Sequence, residues 1–232
     1  MAQSTYVNPS LLQLRQSFRT STAYLVSLTF VMLVLGAIAA MPAYGSKDAE
    51  DQEAAMHRVD SFHAELINIM KKGPALTLRY ERLLPIVKEH FDVPLMARIA
   101  LDQHWADMHK EERQKLVDRL RQLIAVTYAA RLTEFEDQAF RTLDSTSTAS
   151  NRIEVDSQLA TADAGTISLY YRLFLRDGRW RIYDVVNEGV GVLEMMQTQF
   201  SDVVAESGFS GVIEMVDQRI SEHLSKAARG NQ

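Results

Sequence analysis

Apolar residues in this chain recur first at helical spacing, then at every second position, then at helical spacing again. Ala55, Met56, Val59, Phe62, Leu66, Ile67 and Met70 line one face of a first helix, and Lys71-Lys72-Gly73-Pro74 is a stop signal for it. The polar residues 46–53 before it read as a short mobile lead-in. A second helix is predicted over 76–90, with Leu83, Leu84 and Val87 on one side and Pro85 set to bend it or delay its start. Asp92 is placed to cap a short helix that carries Pro94 in its first turn. The charged run 109–115 opens a long helix to about residue 136, apolar at Leu116, Leu120, Leu123, Ile124, Tyr128 and Leu132.

The period then falls to two. Ile153, Val155, Ser157 and Leu159 alternate with Arg152, Glu154, Asp156 and Gln158, the pattern of a half-buried strand. Ile167, Leu169, Tyr171, Leu173 and Leu175 alternate with Ser168, Tyr170, Arg172, Phe174 and Arg176. Asp177-Gly178 is a hairpin turn into a return strand over 179–187, and a weaker strand covers 139–144. Helical spacing resumes from Val190, with Val192, Leu193, Met196, Phe200 and Val203 in one stripe. Residues 207–211 break that helix, with Ser210 as N-cap of a last one bearing Val212, Ile213, Val216, Ile220 and Leu224. The plan is α+β: N-terminal helices, an antiparallel four-stranded sheet with one apolar face, and two C-terminal helices, in a single domain over 46–232.

Charge changes the reading of the N-terminus. Residues 1–46 hold Arg15 and Arg19 but no Asp or Glu, and an apolar run of about 17 residues from Tyr24 to Ala40 follows the arginines. Basic flank, apolar run and small residues form the layout of a secretory signal over 1–45. Ala43-Tyr44-Gly45 supplies small residues for a cut before Ser46, and Ala37-Ile38-Ala39 is an alternative site. An uncleaved membrane anchor is the other reading. Both put residues 46–232 outside the cytoplasm, because the positive flank stays inside.

Composition narrows the function. The 232-residue chain has a net charge of −5, which speaks against a nucleic-acid binder. It has no cysteine, so disulfides, thiolate metal sites and Cys nucleophiles are excluded. Removing residues 1–45 takes away two arginines and no acid, leaving 23 Lys+Arg against 30 Asp+Glu. The six histidines (His57, His63, His90, His104, His109 and His223) include no i,i+4 pair and read as solvated helix-surface residues. Gly208-Phe209-Ser210-Gly211 lacks the strand–turn–helix setting of a nucleophile elbow. Asp184 and Glu188 could pair as catalytic carboxylates, but capping the helix that follows is the simpler role. Gly189 and Gly191 do not make a phosphate loop. Nothing in these patterns supports an enzyme or a bound cofactor. Met56, Met70, Met195, Met196 and Met215 supply adaptable apolar filler, for a core or for a flexible apolar ligand.

Two stretches carry a family resemblance. One is His90-Phe91-Asp92-Val93-Pro94-Leu95-Met96-Ala97-Arg98, with Leu101, Trp105, Glu112-Arg113 and Tyr128 after it. The other is Trp180-Arg181-Ile182-Tyr183-Asp184-Val185, with Glu188-Gly189-Val190 and Gln199-Phe200. In this order they resemble the toluene-tolerance / MlaC family of periplasmic phospholipid-binding proteins, over most of 55–225. The chain departs from the family pattern at Asp102 (usually Gly), at Gly191 (usually Ser) and at Met195-Met196-Gln197-Thr198 (often an Asn-Tyr-Arg run).

The resemblance implies a non-enzymatic carrier of phospholipid in the periplasm, tethered to the inner membrane if the leader is not cut. Its implied partners are an outer-membrane lipoprotein complex and an inner-membrane ABC transporter with an MCE-domain subunit, a system that maintains outer-membrane lipid asymmetry. A hopanoid-associated branch of the family is an alternative. The resemblance also implies a pocket for acyl chains between helices and a curved sheet. The candidate lining is the apolar sheet face (Ile153, Val155, Ile167, Leu169, Tyr171 and Leu173) against Leu120, Ile124 and Tyr128, with Met196 and Phe200 closing one side. The same side chains would equally make the filled core of an interaction or adaptor protein, and Trp105 is expected to anchor the short helix on that core.

Overall fold

A computed structural model of the chain describes residues 44–72, 75–132, 138–161 and 165–230. Except for its last two positions, the predicted leader over 1–45 lies outside the described residues. From Asp48 onward the chain forms one compact unit.

Four helices come first: α1 (Tyr44–Lys71), α2 (Leu76–His90), α3 (Val93–Leu101) and α4 (Lys110–Arg131), with a 3₁₀ turn (Asp102–Asp107) between the last two. The expected lead-in is helical instead. Its residues are rich in Ala, Glu, Lys and Gln, which favour helix even on an exposed surface. The first apolar stripe is as predicted, with Ala55, Val59, Phe62, Leu66 and Met70 buried; Ile69 and His63 join them. Pro85 sits inside α2 and does not delay its start.

The join between α2 and α3 is where the first motif acts. The Asp92 side chain accepts from the Leu95 backbone N–H at 3.1 Å, capping α3 with Pro94 in its first turn. Arg176 donates to the same Asp92 oxygen at 3.0 Å. The Asp92 N–H donates to the Ile182 carbonyl at 2.8 Å, and Phe91 makes a parallel bridge with Ile182. The motif therefore fastens two helices to one strand. At α4 the His109 N–H donates to the Glu112 carboxylate at 2.8 Å, half of a capping box. That helix ends at Arg131, short of the expected residue 136; residues 133–137 lie outside the described residues.

The sheet is antiparallel, in the order β1 (Ala139–Ala149), β2 (Arg152–Thr161), β3 (Gly165–Arg176), β4 (Arg179–Asn187) and β5 (Val190–Gly191). Among the described residues there are five strands, not four. The fifth has two residues, too few for a period to register, and it pairs Val186 with Gly191 and Asn187 with Val190. The first strand is longer than 139–144. A register shift between Thr142 and Asp144 turns Leu143 out to solvent, which breaks the alternation that would have revealed its length.

The last segment, α5 (Val192–Gly230), is two helices that meet at a kink at Gly208, within the break expected over 207–211. There φ is 68° and ψ −166°, a region open essentially to glycine alone. Gly208→Ala is expected to cost about 1–3 kcal/mol in urea unfolding, or to straighten the kink at a similar cost. Ser210 is not an N-cap: its hydroxyl donates back to the Ser207 carbonyl at 3.4 Å. Val212, Ile213, Val216 and Ile220 are buried, as the spacing requires. Arg119 of α4 and Asp217 of α5 form an ion pair at 2.9 Å.

The helices approach the sheet backbone chiefly at β4, where α2, α3 and α5 all come near. Over β1–β3 the two layers are spanned by side chains. Trp105 packs against the core as expected, with the Arg113 guanidinium 5.2 Å from its ring centre.

Candidate functional site

Register aligns the inward side chains of the sheet into rows. At one end, Phe140, Leu159 and Ile167 are aligned. Next come Thr142, Ser157, Leu169 and Asn187, then Val155, Tyr171 and Val185, then Ile153, Leu173 and Ile182. Burial changes along this series. Ile153, Leu173 and Ile182 are sealed, and so are Val155 and Tyr171. Phe140, Leu159, Ile167 and Leu169 keep accessible surface. The apolar face is thus closed at one end and accessible at the other.

A polar group sits where the closed rows begin. His63 of α1 is 4% exposed, and its Nε2 lies 2.9 Å from the Tyr171 hydroxyl. Its ring stacks on Phe140 with centres 4.1 Å apart and planes 12° off parallel. Burial drives the His63 pKa down to about 4 against a weaker upward pull from Asp60, so the imidazole is neutral at neutral pH. Burial also holds the Tyr171 hydroxyl well above its ordinary range, with Tyr128 adding to it. The His63 Nδ1 is buried without a partner. Beside the pair, the Thr142 hydroxyl donates to Asp60 at 2.5 Å and lies 3.4 Å from that of Ser157, which is 2% exposed.

Tyr128 is half-buried, and burial pushes its hydroxyl up to about 12. Its neighbours are Phe62, edge-on at 5.4 Å, and Phe91 at 6.2 Å.

The eleven nominated residues divide in the same way. Leu120, Ile153, Val155, Tyr171, Leu173 and Phe200 are at most 2% exposed, inside one continuous apolar cluster. Ile124, Tyr128, Leu169 and Met196 pack against that cluster and remain partly accessible; Ile167 is half-buried beyond it. A lipid-sized opening is not shown at these residues. Met195, 46% exposed, faces away from the cluster.

Other chemistry is structural. Asp184 is 2% exposed, and one of its oxygens accepts from the backbone N–H groups of Val185 and Leu193 at 2.9 and 3.0 Å. The other oxygen accepts from Arg172 at 3.1 Å. It caps the start of α5, as the sequence suggested. The histidines correct the expectation of solvated residues twice. His63 is buried, and so is His90, whose Nε2 lies 3.3 Å from Glu65 and whose pKa burial lowers. Each lies on the inner stripe of its helix, a position that a count of apolar residues passes over. Among the described residues no group of three or more His, Asp or Glu could hold a metal ion. No helix among them is long and apolar enough to cross a membrane. A shallow groove of about 630 Å³ along α4 is lined by Lys110, Glu111, Gln114, Lys115, Asp118 and Arg119, away from the apolar sheet face.

Comparison with known proteins bears on the same region. The family model described as MlaC protein matches residues 60–218. No curated protein sequence matches. Among solved structures, the phospholipid-binding protein from Ralstonia solanacearum, in complex with a phospholipid, superposes with a TM-score of 0.66 at 21% identity. The match covers 73% of this chain and 98% of that one.

Proposed function

This chain belongs to the MlaC family, and from that premise we propose that it is a periplasmic phospholipid carrier, a binding protein and not an enzyme. It holds acyl chains between the sheet and helices α4 and α5, with the head group at the accessible end. It exchanges cargo with an outer-membrane lipoprotein complex and with an inner-membrane ABC transporter bearing an MCE-domain subunit.

The energetics require such a carrier. A 16-carbon chain leaving a bilayer exposes methylenes worth about 0.8 kcal/mol each, so one chain costs roughly 12 kcal/mol and two cost more. A protein lowers that cost by offering apolar surface of similar transfer energy, with no reacting group. The observation that carries this reading is the graded sheet face, sealed at Ile153 and Leu173 and accessible at Ile167 and Leu169. The phospholipid held by the Ralstonia protein of the same fold supports it.

The sealed rows also favour a second reading, an adaptor with a filled core. Native mass spectrometry of the exported protein, produced from the full chain, separates the two. The carrier gives a protein ion heavier by one phospholipid, and the organic extract contains that lipid. A lipid-free ion and an empty extract would overturn the carrier.

A further inference from the structure

The accessible part of the sheet face has a definite depth. Gly165 begins β3 at the accessible end, and Tyr171 lies six residues on, about 20 Å at ~3.3 Å per residue. An acyl chain occupies about 15 Å, half of the ~30 Å hydrocarbon core of a bilayer. Along this path Ile167 and Leu169 keep accessible surface, whereas Tyr171 is 1% exposed and Leu173 fully buried. Measured from Ile167, the first inward apolar residue of β3, the boundary at Tyr171 lies four residues in, about 13 Å at ~3.3 Å per residue and close to one chain length.

Tyr171 is also held more firmly than an apolar residue at that place would be. Its hydroxyl bonds His63 at 2.9 Å, and its ring meets those of His63 and Phe62 edge-on at 5.2 and 6.4 Å. His63 is fixed in turn by its stack on Phe140. Swinging the phenol aside would leave two polar groups unpaired in an apolar setting, which disfavours the motion.

Resting on the phospholipid reading, we propose that Tyr171, braced by His63 as a positioning residue, is the floor of the acyl-chain slot. The floor makes the protein select phospholipids by chain length, accepting chains of about 16 carbons and excluding substantially longer ones.

The test offers the purified protein vesicles of mixed diacyl phosphatidylglycerols, with chains from about 14 to about 22 carbons, and reads the loaded lipids by native mass spectrometry. The wild type is expected to load the shorter species at least about tenfold over the longest, because each methylene left outside forfeits ~0.8 kcal/mol. Tyr171→Leu uncovers one further row of side chains, about 7 Å of depth, and should raise the cut-off by on the order of four carbons. Leu169→Phe, at a partly accessible position that tolerates bulk, should lower it by a similar amount. His63→Leu should blur the cut-off, and His63→Gln, which still reaches the phenol, should restore it. Equal loading of all lengths by the wild type would overturn the length rule and leave the carrier standing. Failure to load any lipid would overturn both. If Tyr171→Leu does not fold, an unchanged cut-off in Leu169→Phe contradicts the proposal.

Discussion

Lowering the pH from 7 to 4 is expected to remove about 3 kcal/mol of folding stability through His63 alone. In the unfolded chain this imidazole takes up a proton near pH 6.5. In the folded protein burial holds it neutral until about pH 4. Between those values the unfolded state binds more protons, so stability falls as pH falls; above pH 6.5 the two states match and the effect vanishes. The gap of about 2.5 pH units, at 1.36 kcal/mol each, sets the size. Urea unfolding at pH 7 and at pH 4.5 measures it. His63→Phe should be less stable at pH 7, because the Tyr171 hydroxyl loses its partner, and should lose less on acidification than the wild type. An identical pH dependence in the two proteins would show that His63 is not buried as described.

Asp184→Ala is expected to cost about 3 kcal/mol. The buried carboxylate satisfies two backbone N–H groups, and without it the Leu193 N–H is buried and unpaired. Arg172 is partly exposed and keeps Glu154 at 3.1 Å, so its share of the loss is small. Asp184→Asn retains an acceptor oxygen and should lose only about 1 kcal/mol. The effect extends to the site, since α5 starts at this cap and carries Met196 and Phe200. Equal stability of the Asp184→Ala variant and the wild type in urea would refute the capping role.

Much of this architecture is legible because local chemistry agrees with the fold. Asp92 before Pro94 reads as a helix start and is one. Asp177-Gly178 reads as a turn, and both residues adopt positive φ, 51° and 71°. Asp184 reads as a cap and is one. The failures have physical causes as well. His63 escapes a sequence reading because its place on the inner stripe of α1 depends on a partner 108 residues away, Tyr171, which no local pattern contains. Leu143 hides the length of β1 because a bulge reverses the alternation there. β5 exists only because Val186 and Asn187 offer it an edge. The difference between sealed and accessible positions lies beyond pattern altogether. Leu169 and Leu173 belong to one alternation, and only their differing access separates them.

The family motifs acquire roles from the same geometry. Phe91 and Asp92 tie α2 and α3 to β4 through Ile182. Asp184 ties β4 to α5. Both anchors lie at β4, the strand that the helices approach most closely among the described residues. Layers joined over β1–β3 by side chains, apolar ones and the polar pairs His63–Tyr171, Asp60–Thr142 and Asp92–Arg176, can be parted by a chain without breaking backbone hydrogen bonds of the sheet.

A phospholipid carrying a photoreactive diazirine in its acyl chain tests that claim most directly. Illuminated in complex with the purified protein and mapped by peptide mass spectrometry, the label is expected on β3 around Ile167 and Leu169 and on α4 around Ile124 and Tyr128. Labelling confined to the polar outer face of α4 from Lys110 to Arg119, or spread evenly over the surface, would contradict it.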